Sequence, residues 1–250
     1  KADGLAAGKG VIICSNKKEA FIGLDKIMKQ KKFGKAGNKI IIEDYLDGFE
    51  ISYFAFFDKN SFLKLGYALD HKRAFDEDKG PNTGGMGSFT PSKVVTKKME
   101  AEILKKIVKP TFQGLKKEDL TYRGILFFGL MITKKGPFVI EYNVRFGDPE
   151  CQTLLRNLKT DLLKIIKLNI QDRLSEIQIK NTKQNVITVV LASKGYPGKF
   201  KINSRLKNLS NASSIKGVEI FHAGTTIKKG KIVSTGGRVL SITSKAKNLK

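Results

Sequence analysis

Cysteine is scarce in this chain: Cys14 and Cys151 are the only two, far apart and outside any CxxC or Cys/His spacing, which argues against a disulfide framework and a zinc site. A reducing cytoplasm is the expected setting. Histidine is equally rare, with His71 and His222 alone, and no Ser/His/Asp or Cys/His set stands out for nucleophilic catalysis. Long apolar runs are missing too: none reaches the length that spans a bilayer, and no charged stretch leading into an apolar one opens the chain. A soluble protein with no membrane partner is expected. Acidic residues are also in short supply, with 23 Asp and Glu against 47 Lys and Arg, a formal charge of +24.

That charge admits nucleic acid, an anionic surface or a phosphorylated substrate as partners. Its distribution narrows the choice. The arginines are only Arg73, Arg123, Arg145, Arg156, Arg173, Arg205 and Arg238, and the lysines lie along helix-like and turn segments such as Lys26 to Lys35 and Lys228 to Lys231. Aromatic residues do not interleave with them as stacking platforms would, so the charge reads as solvated surface and no nucleic-acid partner is expected.

With 40% hydrophobic residues in 250, the chain can bury one large core or two smaller ones. A glycine-rich stretch, Gly4 to Gly10, leads into strand-like Val11 to Cys14, a helix after Ser15 or Asn16, and a second strand at Ile40 to Glu43. Ile51 to Phe57 and Phe62 to Ala68 flank Asp58 to Asn60 as a hairpin. Asp70 to Gly87 is a long, polar, glycine-rich loop of the kind that carries function. A helix from Thr96 towards Val108 is expected to end with the help of Pro110. Gly124 to Thr133 and Phe138 to Tyr142 make a second hairpin, and a helical stretch runs on to Leu168. The organisation predicted is one domain over 1–171, a linker at 172–185, and a small β-rich unit over 186–250, with strands at Val186 to Ala192, Val218 to Ala223, Ile232 to Ser234 and Val239 to Thr243.

Four segments carry chemistry. In Asp3 to Gly10, glycines let backbone amides approach anionic oxygens and Lys9 adds a mobile charge. The spacing is not that of a Walker A loop or a dinucleotide fingerprint, and a plain tight turn reads it nearly as well. Glu43 to Glu50 places Leu46 and Glu50 where an adenine slot and a ribose acceptor would lie, or forms a solvated acidic turn. The long loop joins Asp70, His71, Lys72 and Arg73 to Gly80-Pro81-Asn82-Thr83-Gly84-Gly85-Met86-Gly87, dense in donors and flexible backbone; His71 reads as a positioning group and His222 as structural. In Glu141-Tyr142-Asn143, strand spacing puts Glu141 and Asn143 on one face, where a carboxylate and an amide oxygen can share a hard cation. Arg145 continues that face if the strand persists, and Asp148 can be read as a helix cap.

In this order, KADGLAAGKG (1–10), DHKR (70–73), GPNTGGMG (80–87), NVRFGDPE (143–150), FHAG (221–224) and GGRVL (236–240) resemble the signatures of the glycinamide ribonucleotide synthetase family across nearly the whole chain. The resemblance implies an α+β ATP-grasp fold, two α+β subdomains holding ATP between them, followed by a small β-rich C-terminal domain. It implies that Lys1, Gly8, Lys9 and Gly10 meet ATP phosphates, that Glu43, Tyr45 and Leu46 receive adenine and Glu50 the ribose, and that Glu141 and Asn143 bind Mg2+ or Mn2+ with Arg145 near the transferring phosphate. Asp70, His71, Lys72, Arg73, Pro81, Asn82, Thr83, Gly84, Gly85 and Met86, with Asp148, would face glycine or phosphoribosylamine. Many ATP-grasp relatives carry a further acidic ligand on the preceding strand; here that run is Phe127-Phe128-Gly129-Leu130-Met131-Ile132, so substrate oxygens would complete the metal's shell. The chain begins inside the family's ATP-binding signature and stops soon after GGRVL, so the family's N-terminal domain and last segment are expected to lie outside it.

The reaction implied uses ATP to convert glycine's carboxylate, a poor electrophile, into glycyl phosphate, which the amine of phosphoribosylamine attacks. Such a site needs positioning and electrostatics more than acid/base chemistry. A monomer acting on small molecules is expected. The rival readings are another ATP-grasp ligase, a nucleotide-binding fragment without activity, and an RNA-binding module supported by charge alone.

Overall fold

The computed structural model describes every residue except 5, 7–9, 78, 249 and 250, and these residues fall into two units, Lys1–Asp47 and Gly48–Lys250. In the first, helix α1 (Lys17–Leu24) starts behind Asn16, whose side chain accepts the Glu19 N–H at 2.9 Å while Glu19 accepts from the Ser15 N–H at 2.8 Å. This reciprocal cap occupies donors that the first turn leaves open. The strands expected at 11–14 and 40–43 do not form. A strand needs a continuous partner edge for its N–H and C=O groups, and here, among the described residues, the pairing is an isolated bridge between Ala2 and Ile40. Val11, Ile13, Ile41 and Ile42 accordingly stay exposed.

The second unit is organised by an antiparallel sheet. Its strands are β1 (Phe49–Phe57), β2 (Phe62–Asp70), β5 (Gly87–Thr90), β6 (Gly124–Thr133), β7 (Gly136–Asn143), β8 (Asn185–Ala192), β9 (Val218–His222) and β12 (Arg238–Ala246), in the order β7-β6-β1-β2-β5-β8-β12-β9. Two short hairpins stand apart: β3 (Arg73–Phe75) with β4 (Lys79–Asn82), and β10 (Thr225–Lys228) with β11 (Lys231–Ser234). The strands of 186–250 thus extend the sheet begun by β1 and β2. Nor does 172–185 hang free: Leu174 is buried and its N–H reaches Asp58 at 2.8 Å.

Alternation along β1 and β6 builds a core on each side. Ile51, Tyr53, Ala55, Phe57, Phe128 and Leu130 face one way, towards α2 (Lys97–Ile103) and α3 (Lys109–Lys117). Phe54, Phe56 and Phe127 face the other, towards α4 (Glu150–Asn157) and α5 (Leu162–Ile170); the short α6 (Leu209–Ser213) lies before β9. Burying each large apolar side chain contributes about 1.5–3 kcal/mol relative to leaving it exposed. The helix expected to end near Pro110 instead continues. A wide turn over Leu104–Val108 precedes α3, and Pro110 sits in the first turn of α3, where its missing N–H interrupts no ladder. The helical stretch expected to reach Leu168 breaks between α4 and α5. Among the described residues, no helix is long and apolar enough to cross a membrane.

Candidate functional site

A row of residues crosses the α4-side face of the sheet. Register pairs Ala68 with Ser52, Ser52 with Gly129, and Gly129 with Glu141, so all four share one face. Gly129 is the opening in that row: a Cβ there would lie 2.9 Å from Glu141 Cγ. The strand that lacks an acid therefore offers space, and Glu141 lies across it. Asn143 Nδ2 donates to Glu141 Oε1 at 3.1 Å, which places this pair on one face. Tyr142 points oppositely, packing on Phe128 with ring centroids 5.5 Å apart and meeting Thr111 Oγ1 at 3.0 Å. Among the described residues no group of three or more His, Cys, Asp or Glu gathers as a metal cluster. The donor set at this point is one carboxylate and one amide oxygen, which suits a hard cation that takes its remaining ligands from phosphate and water.

One step along the same face stand Glu50 and Asp70. Lys72 Nζ donates to Glu50 Oε2 at 2.7 Å; burial is the largest single influence on the Lys72 ammonium and works against it, but Glu50, Asp70 and Glu141 together carry the net shift upward. Asp70 fares otherwise. Burial, with Glu150 nearby, pushes its carboxyl up to about 8 against the pull of Lys72 and Arg238, and its Oδ1 is buried without a hydrogen-bond partner. Glu150, itself buried, accepts from Ser52 Oγ at 2.9 Å.

The long loop is tied to itself. His71 N–H donates to Gly87 O, Met86 N–H to His71 O and Thr83 N–H to Lys72 O. Gly85 N–H donates to Thr83 Oγ1 at 3.0 Å, Gly84 N–H to Tyr196 Oη at 3.0 Å, and Arg73 Nη1 to Gly80 O at 2.9 Å. The amides of 83–86 are thus occupied, so a ligand would meet side chains rather than free N–H groups there. Pro81 and Asn82 are exposed on β4. His71 stacks on Phe89 with centroids 5.9 Å apart, while His222 is exposed and meets Thr225 Oγ1 at 2.9 Å.

Two expectations about the end of β7 change. The strand stops at Asn143, so Arg145 does not extend its face; Arg145 Nη1 donates to Phe146 O at 2.9 Å. Asp148 caps no helix: α4 has no side-chain cap bond, and Asp148 Oδ1 accepts from Gln152 Nε2 at 3.0 Å with Oδ2 3.4 Å from Arg238 Nη2. Sequence reasoning left Ser52, Glu150, Tyr196 and Arg238 without a role, although Glu150 and Arg238 lie inside quoted motifs.

In the first unit Lys1 Nζ lies 3.0 Å from Glu43 Oε1. Tyr45 is exposed, Leu46 half-buried and Gly10 buried; Gly8 and Lys9 lie outside the described residues. Glu43, Tyr45 and Leu46 thus belong to one unit, and Glu50 to the other.

Comparison with known proteins gives this geometry a context. Residues 1–151 match the ATP-grasp (A) domain of phosphoribosylglycinamide synthetase, and residues 186–250 match its C domain. A phosphoribosylamine--glycine ligase of Brucella melitensis is 46% identical over 98% of this chain, which spans 57% of that protein. One from Vigna unguiculata is 44% identical over the whole chain, which spans 81% of it. The crystal structure of the Thermotoga maritima phosphoribosylamine--glycine ligase superposes with a TM-score of 0.81 at 32% identity, covering 100% of this chain and 61% of that one. The chain spans little more than half of several such relatives. With the A-domain match covering well over half of its residues and the C-domain match following in order, the chain belongs to the phosphoribosylglycinamide synthetase family and has the ATP-grasp fold.

Proposed function

We propose that this chain carries the ATP-grasp and C-terminal parts of a ligase that joins glycine to 5-phosphoribosylamine, consuming ATP and forming glycinamide ribonucleotide, in purine biosynthesis. The observation that carries the reading is the Glu141 and Asn143 pair, laid over Gly129 on the same sheet face as Glu50 and Asp70, in a chain of this family. In this reading the ATP-grasp part takes residues 1–171 and the C-terminal part 186–250, with 172–185 between.

Glu141 and Asn143 would hold Mg2+ or Mn2+, which when bound neutralises charge on the nucleotide phosphates. Lys1, Gly8, Lys9 and Gly10 would meet the phosphates, Glu43, Tyr45 and Leu46 the adenine, and Glu50 the ribose. Lys72 holds Glu50 in place at 2.7 Å and brings a positive charge beside Asp70. In the reaction, a glycine carboxylate oxygen attacks the γ-phosphorus of ATP and ADP leaves. The amine of phosphoribosylamine then attacks the carbonyl of glycyl phosphate, and phosphate departs with the acyl C–O bond broken as the amide forms. Arg145 is exposed two residues beyond the strand, within the stretch that would face the transferring phosphate. Asp70 to Arg73, Pro81 to Met86 and Asp148 are the groups available to glycine and phosphoribosylamine. Free cysteines at Cys14 and Cys151 suit a reducing cytoplasm, and we take the working form as a monomer.

The test is ADP release by the full-length protein, with and without glycine and phosphoribosylamine, alongside melting with Mg-ATP. Release that requires both substrates, and a rise in melting temperature by mass action, are expected. ADP release indifferent to glycine would point to another ATP-grasp ligase. No thermal shift with a folded sample would remove the nucleotide site itself.

A further inference from the structure

Two quoted motifs, FHAG (221–224) and GGRVL (236–240), take no part in the reaction as described, yet the second contains the side chain with the densest set of polar contacts near the site. Arg238 Nη1 reaches Asp148 O at 2.5 Å, Gly84 O at 2.6 Å and Gly85 O at 3.3 Å, and Nη2 reaches Asp148 Oδ2 at 3.4 Å. On the other side of the same glycine, Tyr196 Oη accepts the Gly84 N–H at 3.0 Å. Both polar backbone groups of Gly84 are therefore held by residues from 186–250. We propose that Arg238, assisted by Tyr196, is a positioning residue that locks the 83–86 loop onto the Asp148-Pro149 turn and thereby sets the subsite for glycine or phosphoribosylamine.

The surrounding construction serves this contact. The register of β12 on β8 shifts between Arg238 and Leu240, and a bulge at such a point re-aims the neighbouring side chain. Gly237 is where Tyr196 passes: a Cβ there would stand 2.3 Å from the ring. Gly224 and Gly236 lie against each other, with a Cβ on Gly224 falling 2.7 Å from Gly236 Cα. The loop's own glycine is equally confined. Gly85, at φ +104°, leaves no room for a Cβ, which would lie 2.6 Å from Pro149 Cδ and 3.0 Å from both Asp148 O and Asp70 Oδ1. The loop is thus wedged between Asp70 and the turn, and Arg238 fastens it there. The guanidinium's fixed planar fork serves the carbonyls from Nη1 and the carboxylate from Nη2 in one rigid geometry; a lysine ammonium has three donors but gathers them on one atom at the end of a flexible stem. Three acceptors on one nitrogen exceed its two hydrogens, so Gly85 O takes the shared, longest contact.

This inference rests on the proposed ligase reading, and its test separates the two. The full-length protein carrying Arg238→Met, Arg238→Lys or Tyr196→Phe is compared with the parent in amide exchange over 83–86, Mg-ATP affinity, and KM and kcat of glycine-dependent ADP release. Faster exchange over the loop is expected in Arg238→Met and Tyr196→Phe. The KM for glycine or phosphoribosylamine should rise on the order of tenfold to a hundredfold in Arg238→Met, the scale of misplacing a bound group, with Mg-ATP affinity unchanged. Arg238→Lys should recover part of that KM, which a loss of packing alone would not allow. Unchanged loop exchange overturns the proposal, as does faster exchange with both KM values unmoved, which would make Arg238 a brace with no bearing on the subsite. Should Arg238→Met fail to fold, Tyr196→Phe, which removes one hydroxyl, gives the same two readouts. If the parent shows no glycine-dependent ADP release, the ligase reading falls, and loop exchange still decides whether Arg238 fixes the loop.

Discussion

Asp70 carries the largest electrostatic burden on the candidate site, and replacing it with asparagine isolates that burden. Its carboxyl, at 3.8 when unperturbed, is pushed up to about 8 by burial and by Glu150, while Oδ1 has no hydrogen-bond partner. Below about pH 4, the folded and unfolded chains both hold the proton and the group is neutral towards stability. Between about pH 4 and about pH 8 the unfolded chain has released the proton and the folded one has kept it, so stability falls as pH rises through this window and levels off above it. At about 1.4 kcal/mol per unit, the shift sets an upper bound of roughly 6 kcal/mol. Asparagine removes the charge but leaves a buried polar group that itself costs about 1–3 kcal/mol when unpaired. A net gain of at most about 3–5 kcal/mol at alkaline pH is therefore expected from Asp70→Asn. For a domain of this size that raises the melting temperature by at most roughly 6–20 °C. Thermal melts followed by circular dichroism at about pH 5 and about pH 9 measure it, with the larger gain expected at the higher pH. An equal gain at both values, or none at the higher one, refutes the reasoning. Ligase turnover should drop in the same variant, since a strained group kept at a site is usually kept for use.

Three further outcomes follow from the same geometry. Glu141→Gln should lower glycine-dependent turnover about a hundredfold or more while leaving the circular dichroism spectrum unchanged, and Tyr142→Phe, on the opposite face, should be nearly neutral; the reverse pattern would put the wrong face of β7 in the site. Gly129→Ala should depress turnover about tenfold by displacing Glu141, whose Cγ lies 2.9 Å from the new methyl; undiminished turnover across a magnesium titration would remove the need for that opening. Asp58→Ala strips the acceptor shared by the N–H groups of Asn60, Ser61 and Leu174 and should cost about 3–5 kcal/mol in urea unfolding, whereas a loss below about 0.5 kcal/mol would mean that water replaces these bonds without penalty.

How much the sequence reveals depends on how far away a residue's partner lies. The β1–β2 hairpin could be read because both apolar runs and the Asp58 to Asn60 turn are contiguous, and the Glu141 and Asn143 pair because strand alternation acts over two residues. Partnership fails to show at greater distance. Val11 to Cys14 has strand composition, but composition does not supply an edge to pair with, and Val11 and Ile13 stay exposed. In β2 the phase changes within the strand: Leu65 faces the core with Phe54, yet Tyr67 faces the core with Tyr53. The cause is a register shift opposite Phe54 and Ala55, beside Gly66 at φ +137°, a break in period that an alternation count cannot see. Pro110 misleads for a related reason, because what it does to a helix depends on whether the turn before it is tight or wide. Arg238 is the extreme case. It reaches Gly84 across a separation of 154 residues, and the glycines before it are mute in the sequence. Gly237 matters because of Tyr196, and Gly236 because of Gly224. A glycine's function in such places is to let another residue come near, and the identity of that residue is written elsewhere in the chain.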